Sequence, residues 1–113
     1  MNKKVLLIKM QKHIDLRCKV VVENKLDVCD MSFINLRDCI IGVGTILDED
    51  YDLNSYVIKV SAGVANRNTA IIAIQLVEDT LWMLGYAQEG IINQHTAEKA
   101  MDKVKKRVCR YTK

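Results

Sequence analysis

The feature that most constrains this chain is a change of rhythm in its apolar residues. Leu16, Cys18, Val20 and Val22 alternate along the chain, the period-two pattern of a strand with one buried face. Beyond residue 66 the spacing becomes helical. Ala70, Ile71, Ile74, Val77, Leu81 and Leu84 recur at helical intervals, and Ala97, Ala100, Met101, Val104 and Val108 do so again. Strands followed by helices specify an α+β domain. The expected architecture is an antiparallel β-sheet of about four to five strands from the N-terminal half, packed against a C-terminal two-helix hairpin. A chain of 113 residues can bury one core unaided. With no proline, repeat or low-complexity stretch to mark a boundary, residues 1–113 read as a single domain.

The elements are expected as follows. Residues 5–10 form a first strand. Residues 16–23 form a second, which turns at Asn24-Lys25 and returns over Leu26–Cys29 as a hairpin. Residues Asp30–Asp38 fit either a short helix capped by Asp30 or Ser32 or an irregular strand. Cys39–Leu47 reads as a buried strand in which Gly42 and Gly44 mark a bulge or a close backbone approach. The acidic run Asp48-Glu49-Asp50-Tyr51-Asp52 connects it to a strand over Tyr56–Ser61. Asn66 or Asn68 then caps a helix that runs to about Tyr86 and ends at Gly85 or Gly90. Asn93 caps the last helix, whose acids fall early and cations late, as the helix dipole favours.

Several chemistries are excluded by spacing. Cys18, Cys29, Cys39 and Cys109 lack the paired spacing of a zinc site and are expected as free thiols. The apolar run Val5-Leu6-Leu7-Ile8 is too short for a signal peptide, and no segment approaches the roughly 20 apolar residues of a membrane span, so a cytoplasmic protein with no membrane partner is expected. Gly42-Val43-Gly44 has Leu47 where a dinucleotide fingerprint needs its third glycine. Asp48, Asp50, Asp52 and Asn54 imitate the start of an EF-hand loop. That loop needs glycine where Leu53 stands and glutamate where Lys59 stands. His13 and His95 have no nucleophile or orienting partner recognisable in sequence, so no catalytic residue, metal or cofactor is assigned.

What remains points to an anion. Residues 96–113 carry seven cations against Glu98 and Asp102, whereas residues 1–95 carry ten cations against twelve acids. The positive field is therefore concentrated at the C-terminus. Lys99, Lys103, Lys106 and Arg110 advance by three or four residues and form one stripe, with Lys105 and Arg107 flanking it. A second feature is the junction Ser61–Thr69, where small residues lead into the expected long helix. The start of such a helix presents free N–H groups. There Gly63, Asn66, Arg67, Asn68 and Thr69 supply donors, with Lys103, Lys106 and Arg110 completing a ligand site.

The expected function is a non-enzymatic oligomeric binding module for an anionic small molecule, plausibly a nucleotide, with a sequestering or regulatory role. Small nucleotide-sequestering proteins of phages offer an architectural analogy without a shared residue motif. Self-association is expected through the first long helix, around Leu76, Trp82 and Met83. The alternatives are a nucleic-acid-binding regulator that uses the basic helix and a protein–protein adaptor or inhibitor without a ligand.

Overall fold

Among the described residues five strands pair into one antiparallel sheet, and three helices cover its two faces. The computed structural model describes residues 1–13, 21–62, 68–87 and 95–111. In chain order these form α1 (Lys3–Gln11), β1 (Val22–Asp27), α2 (Phe33–Ile41), β2 (Thr45–Asp50), β3 (Ser55–Ala62), β4 (Asn68–Val77), β5 (Thr80–Ala87) and α3 (Thr96–Tyr111). The strand order is β1-β5-β4-β3-β2. The α+β class and a five-stranded antiparallel sheet are as expected; the sheet does not come from the N-terminal half alone, since β4 and β5 follow it in the chain, and one helix stands where the C-terminal helical hairpin was expected.

The segment expected as the first long helix is the β4–β5 hairpin. β4 is the central strand, and every residue from Ala70 to Leu76 is buried. A strand covered on both faces reads as a continuous apolar run, which contains helical spacings by default. The β-branched Ile71, Ile72, Ile74 and Val77 pack well on a pleated surface and lose rotamer freedom in a helix. The chain reverses at Glu78-Asp79, with Glu78 at φ 54°, and the Asp79 carbonyl accepts from the Val28 N–H at 2.8 Å. The apolar surface expected to drive self-association is consequently interior. Leu76 and Met83 are core, and Trp82 is half-buried with the Lys25 ammonium 5.5 Å from its ring.

Residues 5–10 form a helix rather than a strand, and the reason is tertiary. The sheet face carrying Val57, Ile71, Ala73 and Leu84 needs a cover, and Leu6 and Met10, one turn apart on α1, supply it. Lys9 fixes the helix to β2 through Asp48 at 3.1 Å and Asp50 at 3.0 Å, and the Asn2 N–H donates to Gln75 Oε1 at 2.8 Å. The opposite face buries Ile58, Val60, Ile72, Ile74, Leu81 and Met83 under α2 and α3.

Other boundaries also move. Asn24-Lys25 lies inside β1, paired with β5, so no hairpin turn occurs there; residues 16–20 lie outside the described residues. Ser32 decides the ambiguous segment: its Oγ accepts from the Asn35 N–H at 3.0 Å and caps α2. α2 extends through Ile41, so the strand expected over Cys39–Leu47 begins only at Thr45. The strand over Tyr56–Ser61 is present as β3. In α3, Ala97, Ala100, Met101, Val104 and Val108 are all buried, as their spacing requires. No described helix is long and apolar enough to cross a membrane.

Candidate anion-binding cleft

The amphipathic stripe of α3 fixes where its cations go. With Ala100, Met101, Val104 and Val108 against the sheet, Lys103, Lys106, Arg107 and Arg110 fall on the flank that faces α2. Lys105 falls on the other flank and donates to Asn24 Oδ1 of β1 at 2.8 Å. α2 ends beside the basic flank, and Gly42-Val43 closes an open concavity of about 320 Å³ lined by Lys103, Lys106, Arg107 and Arg110.

The four cations are held differently. Lys103 Nζ donates to the Ser61 carbonyl at 2.8 Å, which ties α3 to the end of β3. Lys106 pairs with Asp102 one turn away at 3.0 Å on an exposed surface. Among the described residues neither the Arg107 nor the Arg110 guanidinium forms an ion pair or a hydrogen bond. The Arg107 guanidinium lies against Gly42, at the C-terminal end of α2, where the helix dipole favours a cation. Four positive groups against Asp102 leave the cleft strongly cationic. Two guanidinium groups without a described partner supply the fork geometry that matches phosphate and carboxylate oxygens.

Six acids gather at one end of the sheet: Asp30, Asp52, Glu78 and Asp79 between elements, and Asp27 and Asp50 at strand ends. Asp50 is already engaged. The Lys9 hydrogen bond first, and then the backbone N–H groups of Leu53 and Asp52, hold its carboxyl below the ordinary value. No group of three or more His, Cys, Asp or Glu among the described residues is placed to hold a metal ion. His13 is exposed, and His95 Nδ1 lies 2.8 Å from Glu98 just before α3. Cys29 and Cys109 are exposed and Cys39 is buried; Cys18 lies outside the described residues. Burial, only partly offset by Arg107, pushes the Cys39 thiol up, so it is a poor nucleophile.

The residues expected to form the site are placed as follows. Lys103, Lys106 and Arg110 share the cleft. Asn68 and Thr69 stand in β4 rather than at a helix start, so the dipole invoked for them is absent. Thr69 is exposed, while Asn68 Nδ2 donates to Thr96 Oγ1 at 3.1 Å and braces the start of α3. Gly63, Asn66 and Arg67 lie outside the described residues. Arg110 stands fourteen residues beyond Thr96, about 21 Å along the helix. The cleft and the Asn68 contact are therefore separate places. Sequence reasoning treated Arg107 as a flanking cation and missed Gly42 and Val43. The signal for Arg107 was its spacing, four residues from Lys103 and three from Arg110; nothing local in Gly42-Val43 pointed to α3.

Comparison of the chain with protein-family models, with curated proteins and with solved structures finds no match.

Proposed function

We propose that this chain binds an anionic small molecule, a nucleotide or another phosphate ester, in the α2–α3 cleft, and holds it without converting it. One observation carries the reading: Arg107 and Arg110 stand together in a concavity with Lys103 and Lys106, and neither guanidinium is neutralised by a described carboxylate. The volume of about 320 Å³ falls at the lower end of small-molecule sites, which span about 300–1,000 Å³. The test is a titration with inorganic pyrophosphate followed by NMR. Saturable shifts are expected in the amides of Gly42, Val43 and residues 103–110 and in the Nε–H of Arg107 and Arg110. The double variant Arg107→Glu with Arg110→Glu should lose them. Absence of any saturable shift in the wild-type protein would sink the reading.

A second reading, binding to nucleic-acid backbone, is favoured by the openness of the cleft. Lys106, Arg107 and Arg110 are all exposed, and the basic residues extend over about 10 Å of α3. Salt separates the two readings. Contacts with duplex DNA phosphates weaken binding with a log–log slope of about −0.9 per phosphate neutralised. Mononucleotide affinity that persists at 0.2 M salt supports the first reading; duplex binding that falls with that slope, in a protein without mononucleotide affinity, supports the second.

A further inference from the structure

Gly42 and Gly44 lie two residues apart after α2, and they are glycine for different reasons. A Cβ at residue 44 would collide with the Lys59 carbonyl oxygen of β3, and that wall is backbone. Residue 44 must be glycine for β2 to approach β3. Gly42 has no such wall. Its φ of −75° and ψ of −10° are ordinary right-handed values that any L-residue adopts, and it is exposed. The atoms nearest the position of its absent Cβ all belong to Arg107: Nη2 at 2.8 Å, Cζ at 3.0 Å and Nε at 3.0 Å. The guanidinium occupies the space in which a side chain at residue 42 would begin.

Neither the backbone nor the core demands glycine at residue 42; the seat of Arg107 does. We propose that Gly42 is a positioning residue for the cleft. Its missing Cβ lets Arg107 rest against the end of α2 and holds the guanidinium in register with Arg110 and Lys103 to receive an anion. This rests on the anion-binding reading of the cleft. Alanine at residue 42 displaces only the far end of a flexible side chain, so the fold survives the change. Alanine in an unstrained right-handed conformation also lowers the entropy of the unfolded chain. Gly42→Ala therefore trades ligand affinity against stability in opposite directions, which a damaged fold cannot do.

The test compares wild type, Gly42→Ala, Arg107→Ala and the double variant, using pyrophosphate affinity, thermal midpoint and the Arg107 Nε–H resonance. Gly42→Ala should weaken pyrophosphate about tenfold, the lower end of what a hydrogen bond to a charged group contributes. Its thermal midpoint should hold or rise. In the Arg107→Ala background, Gly42→Ala should cause no further loss. Before any ligand is added, Gly42→Ala should move the Arg107 Nε–H resonance and leave that of Arg110 in place. Wild-type affinity in Gly42→Ala, an equal loss in the Arg107→Ala background, or a lowered thermal midpoint would each overturn the proposal. So would an unmoved Arg107 resonance, which is read without ligand. Failure of wild-type protein to bind pyrophosphate instead overturns the function assigned to the cleft.

Discussion

The β4–β5 hairpin and α3 carry apolar residues at similar intervals, yet one is a pair of strands and the other a helix. In β4 the apolar residues run unbroken from Ala70 to Ile74 and resume after the buried Gln75 at Leu76 and Val77, and both faces are covered, by α1 on one side and by α2 and α3 on the other. In α3 five apolar positions form a narrow stripe, and exposed residues such as Glu98, Asp102, Lys106 and Arg110 lie off it. Spacing at three and four residues is therefore informative only where the intervening positions are polar. A continuous apolar run satisfies every period, and its meaning depends on how many faces the fold covers.

The largest expected effect breaks this comparison at Ile72. That residue lies off the helical stripe of 70, 71, 74, 77, 81 and 84, yet it is fully buried. Ile72→Asp should cost about 3 kcal/mol or more by burying an unpaired carboxylate, and denaturant unfolding measures it. A helix with that stripe would tolerate the change at its surface.

An intermediate effect concerns a fully buried tyrosine of the sheet core. Tyr56 on β3 donates from Oη to the Phe33 carbonyl at 2.8 Å and stacks on the Phe33 ring at 4.2 Å. Burial first, then nearby Glu49, pushes its phenol from the ordinary 10 up to about 12. The fold thus prefers the protonated phenol. This contribution to stability is complete below pH 10 and is lost as pH rises from 10 to about 12. Tyr56→Phe should flatten the fall of the thermal midpoint over that interval. An identical alkaline profile in both proteins would contradict the buried hydrogen bond.

The smallest effect belongs to the polar side of α3. Lys106 and Asp102 form an exposed pair one turn apart. Lys106→Ala should move the thermal midpoint by less than about 2 °C, since such pairs contribute little. A larger loss would mean that the basic flank stabilises the fold and is not simply available to a ligand.

Legibility followed the same logic. The buried positions of α3 were readable because burial and exposure are separated along it, and the strand over residues 56–61 because Val57, Ile58 and Val60 are β-branched. Ser32 as a cap was readable as one of two options, since an N-cap is a local hydrogen bond within four residues. α1 was not readable. Val5, Leu6, Leu7 and Ile8 present no single period, and the exposed Ile8 breaks the expected face. The sheet surface that Leu6 and Met10 cover is assembled from β3, β4 and β5, all distant in sequence. Half of the candidate cleft was readable for a related reason. Lys103, Lys106 and Arg110 share a flank by helical geometry alone, whereas Gly42-Val43 join them only because α2 packs beside α3.

The sequence by itself determined that this is an α+β domain, that its last segment is an amphipathic helix and that its positive charge collects there. Those properties depend on composition and on residues within a few turns of one another. Only the tertiary structure decided that residues 68–87 are the middle of a sheet, that residues 3–11 are the helix covering one face and that Arg107 settles against Gly42. Each of these depends on how many surfaces meet at a residue, which is a property of the packed chain rather than of any window along it.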